Sequence, residues 1–201
     1  FVVEDNAESL GAGNNSKHAG SIGNVGTFSF YYSHHITTVE GGMVVTNSEE
    51  SANELLSLRA HGWTRNRLDR EQIELKHPNH DKNFLFVSSG YNFRPMEFQG
   101  ALGISQLTKL RTFIEKRISN VDRLNSALIG SSFRIIGADE ASLCKPRSEH
   151  FGPVEHSWMA IPILYSGTTF SQTEIHAFLN DNGVATRPIL AGNFLDQPAG
   201  K

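Results

Sequence analysis

Short apolar runs separated by polar turns dominate the first part of the chain. Three runs have strand length and β-favouring composition: residues 1–3, 27–32 and 43–46. Residues 11–24 are rich in Gly, Asn and Ser, which indicates a loop. Asn47 is predicted to cap a helix that carries several leucines and ends near Gly62. This alternation predicts an α/β domain.

The middle of the chain changes from irregular to strongly helical. Residues 63–90 show little periodicity, so they predict a long loop. Pro95 marks the start of the next helix. Apolar residues then recur at helical spacing from Leu110 to Leu128, which predicts a long amphipathic helix.

The last third of the chain has a different pattern of apolar and polar residues. Residues 133–136 and 158–164 read as strands, and Ser171 to Glu174 form a capping box that opens another helix. Strands followed by one helix predict a small α+β domain. We therefore expect residues 1–108 to belong to an α/β large domain, and residues 109–201 to supply a connecting helix and the small domain.

Composition excludes several classes of protein. The formal charge is 18 − 21 = −3, without the basic stripe of a nucleic-acid binder. No apolar run is long enough to span a bilayer, and no signal peptide is visible. A single cysteine, Cys144, makes neither an intrachain disulfide nor a cysteine-bound zinc or iron–sulfur site. These features predict a cytoplasmic globular protein with no membrane or nucleic-acid partner.

The first residues suggest that the sequence is a piece of a longer chain. Phe1 to Val3 already lie inside an apolar run that reads as a buried strand. We expect part of the large domain to precede them.

The stretch FSFYYSHHITTVEGG, residues 28–42, holds the strongest chemical candidates. His34 and His35 follow a strand, where open α/β sheets collect ligands. Imidazole takes and gives a proton near neutrality, although a loop histidine is more often merely solvated. From the residues alone, nothing distinguishes the two histidines.

Two further features at strand ends have a functional and a plain interpretation. Asp5 and Glu8 follow the first strand, where they are either a solvated turn pair or partners for a cationic ring nitrogen. Pyridoxal phosphate needs such a partner, because its protonated ring is the electron sink. Ser29 is a weak candidate for binding a phosphate.

Several segments resemble the sugar-nucleotide aminotransferase family, pyridoxal-phosphate enzymes of the aspartate-aminotransferase fold type. The segments are EDNAESLGA, FSFYYSHHITTVEGGMVVTN, LRAHGW, GYNFRPMEFQGALGISQL and ATRPILAGNF, in this order along nearly the whole chain. The resemblance implies a three-layer large domain with a mostly parallel sheet, followed by a small α+β domain. It also implies that an N-terminal part of the large domain is missing here.

One position departs from the pattern of the amino-transferring members. They carry a lysine that binds the cofactor covalently, and this chain has His34 there. The resemblance implies a cofactor held non-covalently as pyridoxal or pyridoxamine phosphate. A histidine here marks the sugar 3-dehydratase branch, which removes the C3 hydroxyl of a nucleotide-linked 4-keto-6-deoxyhexose. The segments look most like the GDP-linked kind, which needs no iron–sulfur cluster and serves deoxysugar and lipopolysaccharide O-antigen biosynthesis.

The resemblance also implies roles for single residues. His34 would be the acid–base residue, Asp5 the partner of the ring nitrogen, Glu8 a neighbour of the ring hydroxyl, and Ser29 a phosphate ligand. Asn92 would reach the cofactor phosphate of a neighbouring subunit, which implies a homodimer. Arg187 would hold a substrate phosphate or the carboxylate of L-glutamate, the expected amino donor, unless it forms a structural ion pair. The alternatives are a sugar aminotransferase and an inactive fragment.

Overall fold

The computed structural model describes residues 1–14, 17–138, 156–189 and 192–200. These residues divide into two compact units. The first comprises residues 1–119 and 156–159, and the second comprises 120–138, 160–189 and 192–200. The division therefore passes through the long helix. The boundary at residue 108 stays a prediction.

A three-stranded sheet forms the framework of the first unit. Its strands are β1 (Val3–Asp5), β4 (Val25–Ser29) and β5 (Gly42–Val45), in the order β1-β4-β5. β1 and β4 are parallel, whereas β4 and β5 are antiparallel. These strands thus form a mixed sheet rather than a mostly parallel one. The reason is that β4 returns to β5 through a loop, without the crossover that a parallel neighbour requires.

Within the residues that the structure describes, the remaining elements are short strands and five α-helices. β2 (Gly13–Asn14) and β3 (Lys17–His18) form a small antiparallel hairpin, and β6 (Phe133–Ile135) pairs with β7 (Ile163–Tyr165) in the second unit. The helices are α1 (Glu49–Leu58), α2 (Arg70–Lys76), α3 (Glu97–Leu107), α4 (Leu110–Leu128) and α5 (Gln172–Asp181). Single 3₁₀ turns occur at Lys82–Phe84, Phe194–Asp196 and Pro198–Gly200.

The start of α1 corrects one expectation. The residue that caps the helix is Ser48, whose hydroxyl accepts a hydrogen bond from the Ser51 amide at 3.2 Å. The Asn47 side chain donates instead to the carbonyl of Ser21 at 3.3 Å. The Asn47 amide therefore holds the loop that contains Ser21. Because Ser48 is the cap, the helix begins one residue later than a cap at Asn47 would allow.

The expectation of a continuous loop over residues 63–90 was wrong. α2 and a 3₁₀ turn lie within it. α2 has no side-chain cap and buries no residue, and Arg70 pairs with Glu74 one helical turn later. A short polar helix of this kind has no apolar stripe, so its sequence carries no periodic signal.

The predicted capping box is present in the second unit. The Ser171 hydroxyl accepts from the Glu174 amide, and the Glu174 carboxylate accepts from the Ser171 amide at 2.7 Å. Gly183, with φ of +78°, follows the helix end. The strand expected over residues 158–164 is shorter and later, since β7 begins at Ile163.

Apolar packing in the first unit centres on α4. Leu110 and Ile114 bury themselves against Ile36, and the partly buried side chains Leu10, Phe30 and Ile118 pack around them. The amphipathic pattern of α4 thus predicts the face that packs. Its packing partner, Ile36, lies in the loop between β4 and β5 and directly follows the two candidate histidines.

Glu4 fastens the loop between β3 and β4 to the end of β1. Its carboxylate accepts hydrogen bonds from the backbone amides of Gly20 at 2.8 Å, Ile22 at 2.7 Å and Gly23. Gly20 itself lies so close to Gly26 that a Cβ on Gly26 would come within 2.2 Å of the Gly20 carbonyl oxygen. The bonds from Gly23 and Gly20 lower the pKa of Glu4 below its usual value.

We expect Glu4→Gln to lower the free energy of unfolding by about 1–3 kcal/mol at pH 7, because an amide offers only one accepting oxygen to three donors. A lowered pKa in the folded state stabilises the fold above the ordinary glutamate value, and this contribution is lost as pH falls through the lowered pKa. Urea unfolding at pH 7 and in acid measures both effects. The exposed Glu71→Gln is the matched control. An equal difference at both pH values would contradict this role.

Within the described residues, no helix has the length and apolar content needed to cross a bilayer. Cys144 lies outside them.

Candidate functional site

The carboxylates of Asp5 and Glu8 lie at the carboxyl end of β1. Asp5 is opposite Thr27 of the parallel strand β4, and the next amide, that of Asn6, donates to the Thr27 carbonyl at 2.8 Å. The Asp5 carboxylate accepts from the Ala7 amide at 3.1 Å, and both acidic side chains are exposed. This is the edge of a parallel pair at which α/β proteins bind ligands.

Ser29 ends β4 at the same edge. It lies two residues beyond Thr27 and pairs with Gly42 of β5. Its hydroxyl accepts a hydrogen bond from the Tyr31 amide at 3.2 Å. The hydroxyl hydrogen remains a donor, so Ser29 is able to bind an anionic oxygen.

The loop of residues 30–41, here called the histidine loop, joins β4 to β5 and carries both histidines. It is closed at its base by hydrogen bonds from the Phe30 amide to the Gly41 carbonyl at 2.8 Å and from the Thr38 amide to the Phe30 carbonyl at 2.9 Å. The His34 amide donates to the Tyr31 carbonyl at 3.0 Å, which makes a turn directly after the strand. The loop is therefore an ordered extension of the sheet edge.

His34 presents one ring nitrogen and buries the other. Its Nδ1 is buried without a hydrogen-bond partner, so Nε2 is the nitrogen left to exchange a proton. The ring lies edge-on to Tyr31, with 5.6 Å between the ring centres. A buried polar atom without a partner is costly, and Nδ1 of His35 is in the same state.

His35 has a different environment from its neighbour. It is 3% exposed, and its Nε2 lies 3.2 Å from the carbonyl oxygen of Ser157. Burial lowers the pKa of His35 to about 4, against the opposing effect of the Ser157 bond and together with the positive charge of Arg117. The ring is therefore neutral near pH 7. The structure separates two histidines that the residues alone left equivalent.

A residue that the sequence analysis missed also holds the histidine loop. The Gln99 side chain, in the first turn of α3, donates to the Glu40 carbonyl at 2.6 Å and accepts from the Met96 amide at 2.7 Å. One feature of the sequence could have identified Gln99. It lies three residues after Met96, where a glutamine side chain can reach back to the amide at the helix start. Its second bond, to Glu40, is not encoded in local sequence.

The other two candidate residues lie elsewhere. Asn92 is an exposed residue of the first unit, and its backbone pairs with Ala60 just beyond α1. Arg187 is an exposed residue of the second unit, next to Thr186, whose hydroxyl contacts His176 and Asn180. The structure therefore places Asp5, Glu8, Ser29 and His34 at one sheet edge and Asn92 beside a different element.

The groups at this edge fit pyridoxal phosphate. An exposed aspartate suits a protonated ring nitrogen, a serine hydroxyl suits a phosphate, and the unpartnered imidazole suits proton transfer. A metal is a poorer match, because the described part of the chain holds no group of three His, Cys, Asp or Glu side chains placed to bind one.

Comparison with known proteins places the chain in a family. Residues 1–199 match the model of the DegT/DnrJ/EryC1/StrS aminotransferase family. The chain belongs to this family. The chain is also similar to GDP-4-keto-6-deoxy-D-mannose 3-dehydratase of Yersinia pseudotuberculosis, with 39% identity over 97% of this chain and 47% of that protein.

Solved structures extend the match to three dimensions. The Escherichia coli GDP-4-keto-6-deoxy-D-mannose 3-dehydratase with bound hydrated PLP has a TM-score of 0.79 and 36% identity, over 98% of this chain and 48% of that one. GDP-4-keto-6-deoxymannose 3-dehydratase with a trapped PLP-glutamate geminal diamine has a TM-score of 0.73 and 35% identity, over 92% and 45%. This family member therefore has the fold of PLP-dependent aminotransferases. The chain spans about half the length of the curated relatives it matches.

Proposed function

We propose that the full-length protein removes the C3 hydroxyl from a nucleotide-linked 4-keto-6-deoxyhexose, with GDP-4-keto-6-deoxymannose as the substrate. The observation that carries the proposal is His34. In the family pattern it stands where the amino-transferring members carry lysine, and its Nδ1 is buried without a hydrogen-bond partner. The 39% identity to a relative of this activity supports the same choice of substrate.

The proposed cofactor is pyridoxal phosphate, used in its pyridoxamine form. When bound, it supplies an amino group for the C4 ketone and a ring that accepts electrons. Asp5 would keep the ring nitrogen protonated, Glu8 would lie near the ring hydroxyl, and Ser29 would bind the phosphate. Asp5 and Ser29 end the parallel strands β1 and β4, and Glu8 lies three residues beyond β1.

His34 would carry the proton through the reaction. Its Nε2 removes a proton next to the reacting amino group and returns one to the C3 oxygen, which leaves as water. A neutral imidazole nitrogen can do both, because it accepts a proton and, once protonated, donates it. A lysine amine in this position would attack the reacting carbon and favour ordinary transamination.

Two further residues would complete the site in the assembled enzyme. Asn92, exposed beside α1, would bind the cofactor phosphate of a second subunit, which makes the proposed enzyme a homodimer. Arg187 would bind a substrate phosphate or the carboxylate of L-glutamate, which recharges the cofactor. The solved relative that holds a PLP-glutamate adduct supports glutamate as the donor.

The second candidate is a sugar-nucleotide aminotransferase. It is favoured by the family model, whose description names aminotransferases. The two candidates differ in the fate of the nitrogen. A dehydratase releases it as ammonia, whereas an aminotransferase keeps it in the sugar.

The deciding experiment follows that nitrogen. Full-length protein is given GDP-4-keto-6-deoxymannose, pyridoxal phosphate and ¹⁵N-labelled L-glutamate. We expect the label in free ammonia, with one 2-oxoglutarate and one 3-deoxy sugar nucleotide formed per ammonia. Reactions without glutamate are the control and should release no ammonia, because pyridoxal phosphate by itself carries no amino group. Label retained in a stable amino sugar would contradict dehydration and favour the second candidate.

A further inference from the structure

The histidine loop contacts a segment that is distant in sequence, residues 156–159, here called the anchor segment, in which Ser157 and Trp158 are buried. The ring of His35 contacts it through the Ser157 carbonyl. Because a carbonyl oxygen only accepts hydrogen bonds, Nε2 of His35 carries the proton and donates. The contact therefore requires one tautomer of His35 and ties the residue next to His34 to Ser157.

The anchor segment has a backbone shape that its own residues do not favour. Trp158 is 2% exposed and has φ of +50°, a region that bulky side chains rarely occupy. Its amide donates to Nδ1 of His156 at 3.1 Å, and the two rings stack with their centres 3.7 Å apart. Such a conformation persists only where neighbouring groups hold it.

Arg117 of α4 provides that hold. Its Nη1 donates to the carbonyl oxygens of Trp158 and Met159, each at 2.9 Å. The same helix packs Leu110 and Ile114 against Ile36 of the histidine loop. One helix thus fixes the loop by apolar contact and the anchor segment by hydrogen bonds.

The Arg117 guanidinium is partly buried, and burial lowers its pKa while leaving it charged. Among the residues that the structure describes, no ion pair within 4.0 Å joins it to a carboxylate. The carbonyl oxygens of Trp158 and Met159 are thus the hydrogen-bond partners of Arg117 in the described structure. A desolvated charge without a counter-ion is an expensive way to stabilise a fold.

We propose that Arg117 is a positioning residue for His34. It acts through the anchor segment: the guanidinium holds the Trp158 and Met159 carbonyls, Ser157 holds His35, and His35 orients the adjacent His34. The inference rests on the proposed role of His34 in proton transfer. A ring displaced by about 1 Å from its proton-transfer geometry loses up to about a hundredfold in rate.

The test uses full-length protein saturated with cofactor. Arg117→Met keeps the length of the side chain and removes its donors, Arg117→Lys restores a cationic donor, and the exposed Arg123→Met on the same helix is the matched control. We expect kcat of Arg117→Met to fall about ten- to a hundredfold with KM and cofactor occupancy unchanged. Arg117→Lys should recover part of the loss, and Arg123→Met should match the wild type.

A second readout does not need activity. Nitrogen chemical shifts of the histidine rings report which nitrogen carries the proton. We expect His35 to show a protonated Nε2 in the wild type and in Arg123→Met, and the signals of both histidines to change in Arg117→Met.

Three outcomes would overturn the inference or its premise. A loss of activity that only follows the folded fraction would make Arg117 a stabilising residue alone. Unchanged ring signals in Arg117→Met would remove its link to His34. A wild type that releases no ammonia would overturn the proposed function instead, and the ring signals would then decide the positioning role by themselves.

Discussion

His34→Asn is expected to abolish dehydration while the protein still binds its cofactor. The amide keeps the polarity of the imidazole, but it does not titrate, so it neither takes nor returns the proton. Loss of a general acid–base group lowers kcat by about 10²–10⁴-fold. Asp5 and Ser29 are untouched by the change, so cofactor affinity should stay within about threefold of the wild type. Ammonia release measures the first effect, and the absorbance change on cofactor titration measures the second.

The matched control for this variant is His18→Asn. His18 is an exposed histidine of β3 in the same unit, so its replacement changes the histidine content without touching the histidine loop. We expect wild-type kcat from it. If His34→Asn kept more than about a tenth of the wild-type kcat, another group would carry the proton, since the expected loss is at least about a hundredfold.

Elements with a strong local signal could be predicted from the sequence. α4 has its apolar residues on one stripe, and α5 opens with a complete capping box. The strands that flank the histidine loop were predicted within two or three residues, because β-favouring residues and turns define them locally. The candidate carboxylates and histidines could be identified from the sequence because they lie at or shortly after the ends of predicted strands.

Elements that depend on distant contacts could not be predicted. α2 has only two apolar residues, Ile73 and Leu75, which form no helical stripe, and it has no side-chain cap, so its sequence gives no clear helix signal. Trp158 lies in a predicted strand, but it has a positive φ, and its carbonyl accepts a hydrogen bond from Arg117, 41 residues earlier in the sequence. Propensity describes a residue's own preference, and tertiary packing overrides it here.

The difference between His34 and His35 also depends on a contact that is distant in sequence. Both are loop histidines in the sequence, and their chemistry diverges because Ser157, more than a hundred residues later, accepts a bond from His35 alone. The family motif selects His34, while burial keeps His35 neutral. The acid–base role of His34 stays a prediction from the motif, and the structure adds the contrast with His35.

His34→Lys is the second prediction with a large expected effect, because it restores the lysine of the amino-transferring relatives. We expect the variant to bind pyridoxal phosphate covalently through the new amine. Dehydration should be lost. A partly buried position favours the neutral, nucleophilic form of a lysine. His18→Lys, exposed on β3, is the matched control and should bind no cofactor covalently.

Peptide mass mapping after borohydride reduction of His34→Lys with pyridoxal phosphate tests the placement of His34 most directly. Borohydride makes the cofactor–lysine bond permanent, so the modified residue is identified by mass. The account predicts one reduced cofactor per chain, on the peptide that contains residue 34, and none on the wild type or on His18→Lys. A variant that binds cofactor, as seen by absorbance, but carries no label at residue 34 would contradict it.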